Sequence, residues 1–179
     1  FKEVRIAARN ADKARAFIET LRNDADTNTK GLDFQHTTSV QEAISGADIV
    51  CTVTSASTPV LKGEWIEPGT HLNVAGSSTK EKKEIDTEAV LKGRIYIDYL
   101  PSTLNQAGEI IDAIDEGAFS ADKIVGEIGQ LLAGDIAGRS SADDITIYRS
   151  LGVLSQDLFV AQYLYEQATA KKFGTHVDF

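Results

Sequence analysis

The stretch Ala47–Leu61, ADIVCTVTSASTPVL, joins a short apolar run to a loop of small hydroxyl residues. Ile49, Val50, Cys51 and Val53 are largely β-branched and apolar, the pattern of a strand buried on both faces. The run stops at Thr54-Ser55-Ala56-Ser57-Thr58 and closes on Pro59. In an open parallel sheet, ligands bind just beyond the carboxyl ends of the strands. Small side chains at that place let a bound molecule come close to the backbone. A hydroxyl-rich loop leaving a core strand has the same composition, so the neighbouring elements decide between the two readings.

Upstream, Lys2–Ala8 (KEVRIAA) alternates as a strand, and Arg9-Asn10 follows it. Ala11, Ala14, Phe17, Ile18 and Leu21 recur at helical spacing with Asn10 placed as N-cap. Asp24–Gly31 is a polar loop, Asp33–Thr37 a weak edge strand, and Ser39–Gly46 a short helix turning Val40, Ala43 and Ile44 inward. Downstream, Lys62–Pro68 is a turn-rich connection whose Trp65 packs against the sheet. Thr70–Ala75 is a strand running into Gly76-Ser77-Ser78. The mixed-sign run Lys80–Glu84 (KEKKE) reads as a solvated loop or helix start. Helices are expected at Asp86–Lys92, Ser102–Ala107, Ile110–Glu116 and Lys123–Ala133, with a strand at Arg94–Leu100. A last strand, Asp144–Tyr148, ends in Ser150-Leu151-Gly152, and the long helix Val153–Lys171 carries apolar residues over much of its surface. Strands alternating with helices at these spacings define an α/β fold, a doubly wound parallel sheet with helices on both faces.

Composition narrows the functional classes. With 179 residues and 42% hydrophobic content the chain can bury a real core. The formal charge of −9 would repel phosphate backbones and anionic surfaces, so nucleic acid and membrane are poor partners. A single cysteine, Cys51, excludes an internal disulfide, fits a cytoplasmic setting, and reads as a small buried hydrophobe. His36, His71 and His176 sit at an edge strand, a strand start and a tail, and none belongs to a group with metal-ligand spacing. The chain contains no methionine and opens directly into a strand, so it is expected to be part of a longer protein.

A dinucleotide fold begins strand, G-x-G-x-x-G, helix, with a residue at the end of the second strand that meets the adenosine ribose. No G-x-G-x-x-G occurs in the sequence. If Lys2–Ala8 is the second strand, the first strand and its glycine loop precede Phe1. An acidic residue at the position of Arg9 would accept from both ribose hydroxyls. Arg9, supported by Asn10, would instead supply donors and positive charge to a 2′-phosphate, which favours NADP(H) over NAD(H). A solvated arginine and a simple helix cap are the competing readings.

Four blocks carry a further likeness: VRIAARNADKARAF (4–17), ADIVCTVTSASTPVLKGEWIEPGTHLNVAGSS (47–78), KIVGEIGQLLAGDIAG (123–138) and DDITIYRSLGVLSQD (143–157). In content, order and spacing they resemble the C-terminal, nucleotide-binding part of the ornithine cyclodeaminase/mu-crystallin family. The resemblance implies a bound nicotinamide that moves hydride to or from the α-carbon of an amino acid or cyclic imine. It also implies a homodimer when full length, with the substrate-gripping residues in a part that precedes this chain. Carried across by resemblance, Arg9 and Asn10 meet the adenosine end of the cofactor, and Val53, Thr54 and Ser55 line its middle. Val74, Ala75 and Gly76 approach the nicotinamide, and Ser150 and Leu151 close its far side. The boundaries expected are 1–152 for most of a nucleotide-binding domain, and 153–179 for a helix and tail packing back on the sheet or on a preceding domain.

One departure separates the subfamilies. Where cyclodeaminases carry an aspartate taken to be an acid/base, this chain has Ser78. A hydroxyl can hold a water or donate a hydrogen bond, but at neutral pH it does not accept a proton as a carboxylate does. The expectation is an NAD(P)H-dependent imine reductase or amino-acid dehydrogenase with Ser78 at the catalytic position. An ornithine cyclodeaminase using NAD, and a mu-crystallin-like NADPH- or ligand-binding protein with little turnover, stay open. Glu127 is a further candidate for a direct role near the cofactor.

Overall fold

The computed structural model describes residues 1–24, 29, 31–76, 78–175 and 177. Its strands are β1 (Glu3–Ala7), β2 (Asp33–Thr37), β3 (Ile49–Thr52), β4 (His71–Val74), β5 (Arg94–Ile97), β6 (Gly126–Glu127) and β7 (Thr146–Arg149). The helices are α1 (Ala11–Asn23), α2 (Val40–Ile44), α3 (Thr87–Lys92), α4 (Leu100–Gln106), α5 (Gly108–Asp115), α6 (Ile128–Ala133) and α7 (Leu154–Lys171). Every strand pair is parallel. β1 and β2 form a two-stranded sheet, and the other five lie in the order β3-β4-β7-β5-β6.

Helix starts follow local chemistry. The Asn10 side chain accepts from Lys13 N, Ser39 from Glu42 N and Asp86 from Ala89 N, each satisfying a donor that the first turn leaves orphaned. Leu72, Val74, Ile95, Ile97 and Ile147 project from one face of the five-stranded sheet and pack with Ala89 and Val90 of α3 and Ile110 and Ala113 of α5. Trp65 is half-buried against this core. On the opposite face, Tyr96 and Tyr148 meet Ile128 and Leu131 of α6 around a cavity of about 260 Å³. The sheet is therefore covered by helices from both sides, as a doubly wound α/β fold requires.

Three readings change. β3 is not buried on both faces. Val50 and Thr52 share the face of Leu72 and Val74, while Ile49 is 45% exposed, Val53 is 75% exposed and Cys51 is exposed. Side chains alternate along a strand, and among the described residues nothing covers the second face at this edge. Cys51 is accordingly no core hydrophobe.

Second, Lys123–Ala133 is not one helix. Val125 N donates to Ile95 O, and Gly126, at φ 154, lets the chain run as β6 beside β5 before α6 begins. Third, the Lys80–Glu84 run is not simply solvated, because Glu84 is fully buried. α7 forms as expected, and it has no buried residue. His176 lies outside the described residues.

Candidate functional site

The register brings four strand ends side by side. Thr52 is opposite Val74, Val74 is opposite Arg149, and Arg149 is opposite Ile97. The ladder continues one step further, with Ala75 N donating to Thr52 O and Ser150 N to Val74 O, both at 3.0 Å. Residues 53–55, 74–76 and 150–151 thus emerge next to one another at the carboxyl edge of the sheet. Val53, Thr54, Ser55 and Ala75 are exposed there, Gly76, Ser150 and Leu151 are half-buried, and the Val74 side chain is enclosed in the core. At Gly76 a Cβ would overlap the backbone of Thr54 and the Glu84 carboxylate, so only glycine lets the two loops approach this closely.

Buried ionic groups hold these loops from beneath. Glu84 Oε1 accepts from Thr54 N at 2.5 Å, and Oε2 accepts from Gly76 N at 2.7 Å and from Thr52 Oγ1 at 3.0 Å. Asp98 follows β5, and its Oδ2 accepts from Leu151 N at 2.7 Å and Gly152 N at 2.6 Å. Arg149, 1% exposed, donates from Nη1 to Ser150 O at 2.7 Å and Val74 O at 3.2 Å, and its Nε forms an ion pair with Glu109 of α5. Burial holds the Glu109 carboxyl above the usual glutamate range, and the adjoining guanidinium offsets only part of that rise. Hydrogen bonds to ionised groups are worth about 1.5–3 kcal/mol each, so the loops are set by fixed charges.

Beside this edge opens a pocket of about 480 Å³ lined by Asp98, Tyr99, Ser102, Glu127 and residues 152–155. Glu127 Oε1 accepts from Leu100 N at 2.9 Å, and its side chain caps α6. It therefore fixes two helix starts. His71 Nδ1 lies 2.8 Å from Thr146 Oγ1 and His36 Nε2 lies 3.1 Å from Ala8 O, both structural contacts. Among the described residues no group of His, Cys, Asp or Glu is arranged to hold a metal.

The other expected residues stand apart. Arg9 and Asn10 are exposed at the carboxyl end of β1, in the two-stranded sheet, and the Asn10 carbonyl oxygen is engaged at the helix cap. Ser78 is exposed just beyond Gly76. Sequence reasoning missed Glu84, Asp98, Glu109 and Arg149. The available signal was their position, since Asp98 and Arg149 end strands and Glu84 precedes the apolar Ile85, which bridges to Leu61.

A parallel α/β sheet with loops of small residues converging at its carboxyl edge defines a dinucleotide-binding class of domain. The profile of the ornithine cyclodeaminase/mu-crystallin family matches residues 1–172, and this chain belongs to that family. It is 36% identical over 143 residues to a Delta(1)-pyrroline-2-carboxylate reductase of Bacillus thuringiensis subsp. konkukian, covering 79% of this chain and 44% of the relative. It is 32% identical to the ketimine reductase mu-crystallin of Mus musculus over 172 residues, 96% of this chain and 49% of the relative. Among solved structures it superimposes on the Delta(1)-pyrroline-2-carboxylate reductase of Thermococcus litoralis in complex with NADH and L-proline. That match has a TM-score of 0.89 and 31% identity, over 98% of this chain and 53% of the other. The chain spans about half the length of the relatives it matches.

Proposed function

We propose that the protein to which this chain belongs is an NAD(P)H-dependent imine (ketimine) reductase or amino-acid dehydrogenase. Its substrate would be a small amino acid or a cyclic imine carboxylate. The observation that carries this reading is the convergence of residues 53–55, 74–76 and 150–151 at one sheet edge, locked by buried Glu84, Asp98 and Arg149. The family relatives that reduce imines point the same way.

The site fits a nicotinamide dinucleotide. Exposed Thr54 and Ser55 suit its middle, and Gly76, which lets the loops after β3 and β4 close on one another, sets the backbone that the ring would meet. Leu151, held by Asp98, closes the far side. The nicotinamide, when bound, supplies or accepts the hydride at the substrate α-carbon. Ser78 orients the substrate nitrogen or a water by hydrogen bonding and does not serve as a base, which suits reduction of a preformed protonated imine. Arg9 meets the adenosine ribose, and its guanidinium favours a 2′-phosphate, hence NADP(H) over NAD(H).

Residues 1–152 are assigned to the nucleotide-binding domain, and α7 with its tail to packing against the part of the protein that this chain does not span. A homodimer and a cytoplasmic setting complete the proposal. No helix among the described residues is long and apolar enough to cross a membrane.

The test is consumption of NADPH against NADH by the full-length protein with pyrroline-2-carboxylate. Turnover with NADPH preferred is expected. Ammonia release from ornithine with NAD, and no imine reduction, would replace this reading with ornithine cyclodeaminase. Tight NADPH binding without consumption across a panel of imines would favour a binding protein.

A further inference from the structure

Glu84 sits at 0% exposure in a run of charges whose Lys80 and Glu81 are exposed and whose Lys82 and Lys83 are half-buried. Its side chain spans the gap between two loops, with one carboxylate oxygen on Thr54 N and the other on Gly76 N and the Thr52 hydroxyl. Its backbone is engaged as well. Val60 N and Leu61 N donate to Glu84 O at 2.9 and 3.0 Å, and the neighbouring Lys83 N donates to Ala56 O at 3.1 Å. The loop from Thr54 to Leu61 is thus fastened at its start by the Glu84 carboxylate, in its middle by Lys83, and at its end by the Glu84 carbonyl.

We infer that Glu84 is a positioning residue that locks the loop after β3 to the loop after β4, holding the middle and the nicotinamide end of a bound dinucleotide in fixed relation. The inference rests on the dinucleotide reading above and extends it to a residue that touches neither cofactor nor substrate. A carboxylate suits this task because both its oxygens accept, and both facing backbone groups donate. An amide in its place would aim an NH2 group at one of the two N–H donors and release one loop. The adenosine end, at β1 in the other sheet, does not depend on this link.

The experiment uses the full-length protein with Glu84→Gln and, as a milder change expected to keep the fold, Thr52→Val, which removes one donor to the same carboxylate. Titration calorimetry measures affinity for NADPH, NADH and AMP, and circular dichroism verifies folding. Glu84→Gln is expected to weaken the better-bound dinucleotide about 10- to 100-fold and to leave AMP unchanged. Thr52→Val is expected to act in the same direction, by about threefold. If Glu84→Gln does not fold, Thr52→Val decides alone. Folded variants that bind the dinucleotide like the wild type, or that lose AMP and dinucleotide equally, overturn the positioning role. Wild-type protein that binds neither NADPH nor NADH overturns the dinucleotide reading itself, and the positioning role with it.

Discussion

At Gly76 the space for a side chain is taken by the backbone of Thr54 and the carboxylate of Glu84. A methyl group there must push the two loops apart or displace a buried charge. Gly76→Ala is expected to destabilise the protein by about 1–3 kcal/mol, as overpacking of a fixed interior does, which chemical denaturation would reveal as a lowered midpoint. Arg9 is the opposite case, an exposed side chain whose removal should leave stability untouched. Arg9→Ala is expected to reduce affinity for NADPH about tenfold, the loss of one charge-assisted contact, with little effect on NADH. Equal losses for both cofactors would show that Arg9 does not meet a 2′-phosphate.

Between elements, the tie from β7 to α5 is the buried pair of Arg149 and Glu109. Removing one partner strands the other charge, so Arg149→Met is expected to cost about 3–5 kcal/mol. Combining it with Glu109→Leu should cost less than the two single changes added together, because the second substitution removes a charge already orphaned. A urea-unfolding cycle on the four proteins measures this coupling.

The turn before β7 carries a pH-dependent contribution. The Ser140 backbone and hydroxyl, and then the Ser141 N–H, bond Asp144 Oδ2 and hold its carboxyl below the usual aspartate range, with Arg94 adding to the effect. A depressed folded value means this stabilisation is present above the ordinary aspartate range and is lost as pH falls through the folded value. Asp144→Asn should therefore destabilise the protein at neutral pH and do so progressively less on acidification, read from unfolding midpoints across that range. Elements of this kind were only partly legible in the sequence. Caps such as Asn10 and strands such as Asp33–Thr37 follow from local chemistry and alternation. β6 is two residues long, too short to show any period, and it is defined only by its pairing with β5. Glu84 hides in a charge run because its carboxylate is engaged by Thr52 and Thr54, about 30 residues earlier in the chain, as well as by nearby Gly76. The loop residues of the site were visible as small residues at strand ends, but the charges that fix them were not, since their partners come from distant strands.

For the molecule as a whole, α7 is the unfinished part of the packing. It runs for 18 residues with no buried position, and Leu154, Leu158, Phe159 and Tyr165 are each at least 67% exposed. A helix apolar around its circumference ordinarily lies inside a protein, and exposed apolar patches of this extent mark interaction surfaces. The sheet of this chain does not cover it, and the relatives are about twice as long. In the full-length protein the α7 amides are therefore expected to be among the slowly exchanging ones. In the 179-residue chain alone they should exchange at rates near those of a frayed helix, because little burial opposes local opening. Hydrogen exchange on both proteins compares them directly. Fast exchange in the full-length protein would show that α7 stays uncovered there and would remove the assignment of residues 153–179 to packing against the other half. Slow exchange that becomes fast on Phe159→Asp, with the amides of β4 and β7 unchanged, would locate the contact on α7 and leave the nucleotide-binding sheet as an independently stable unit.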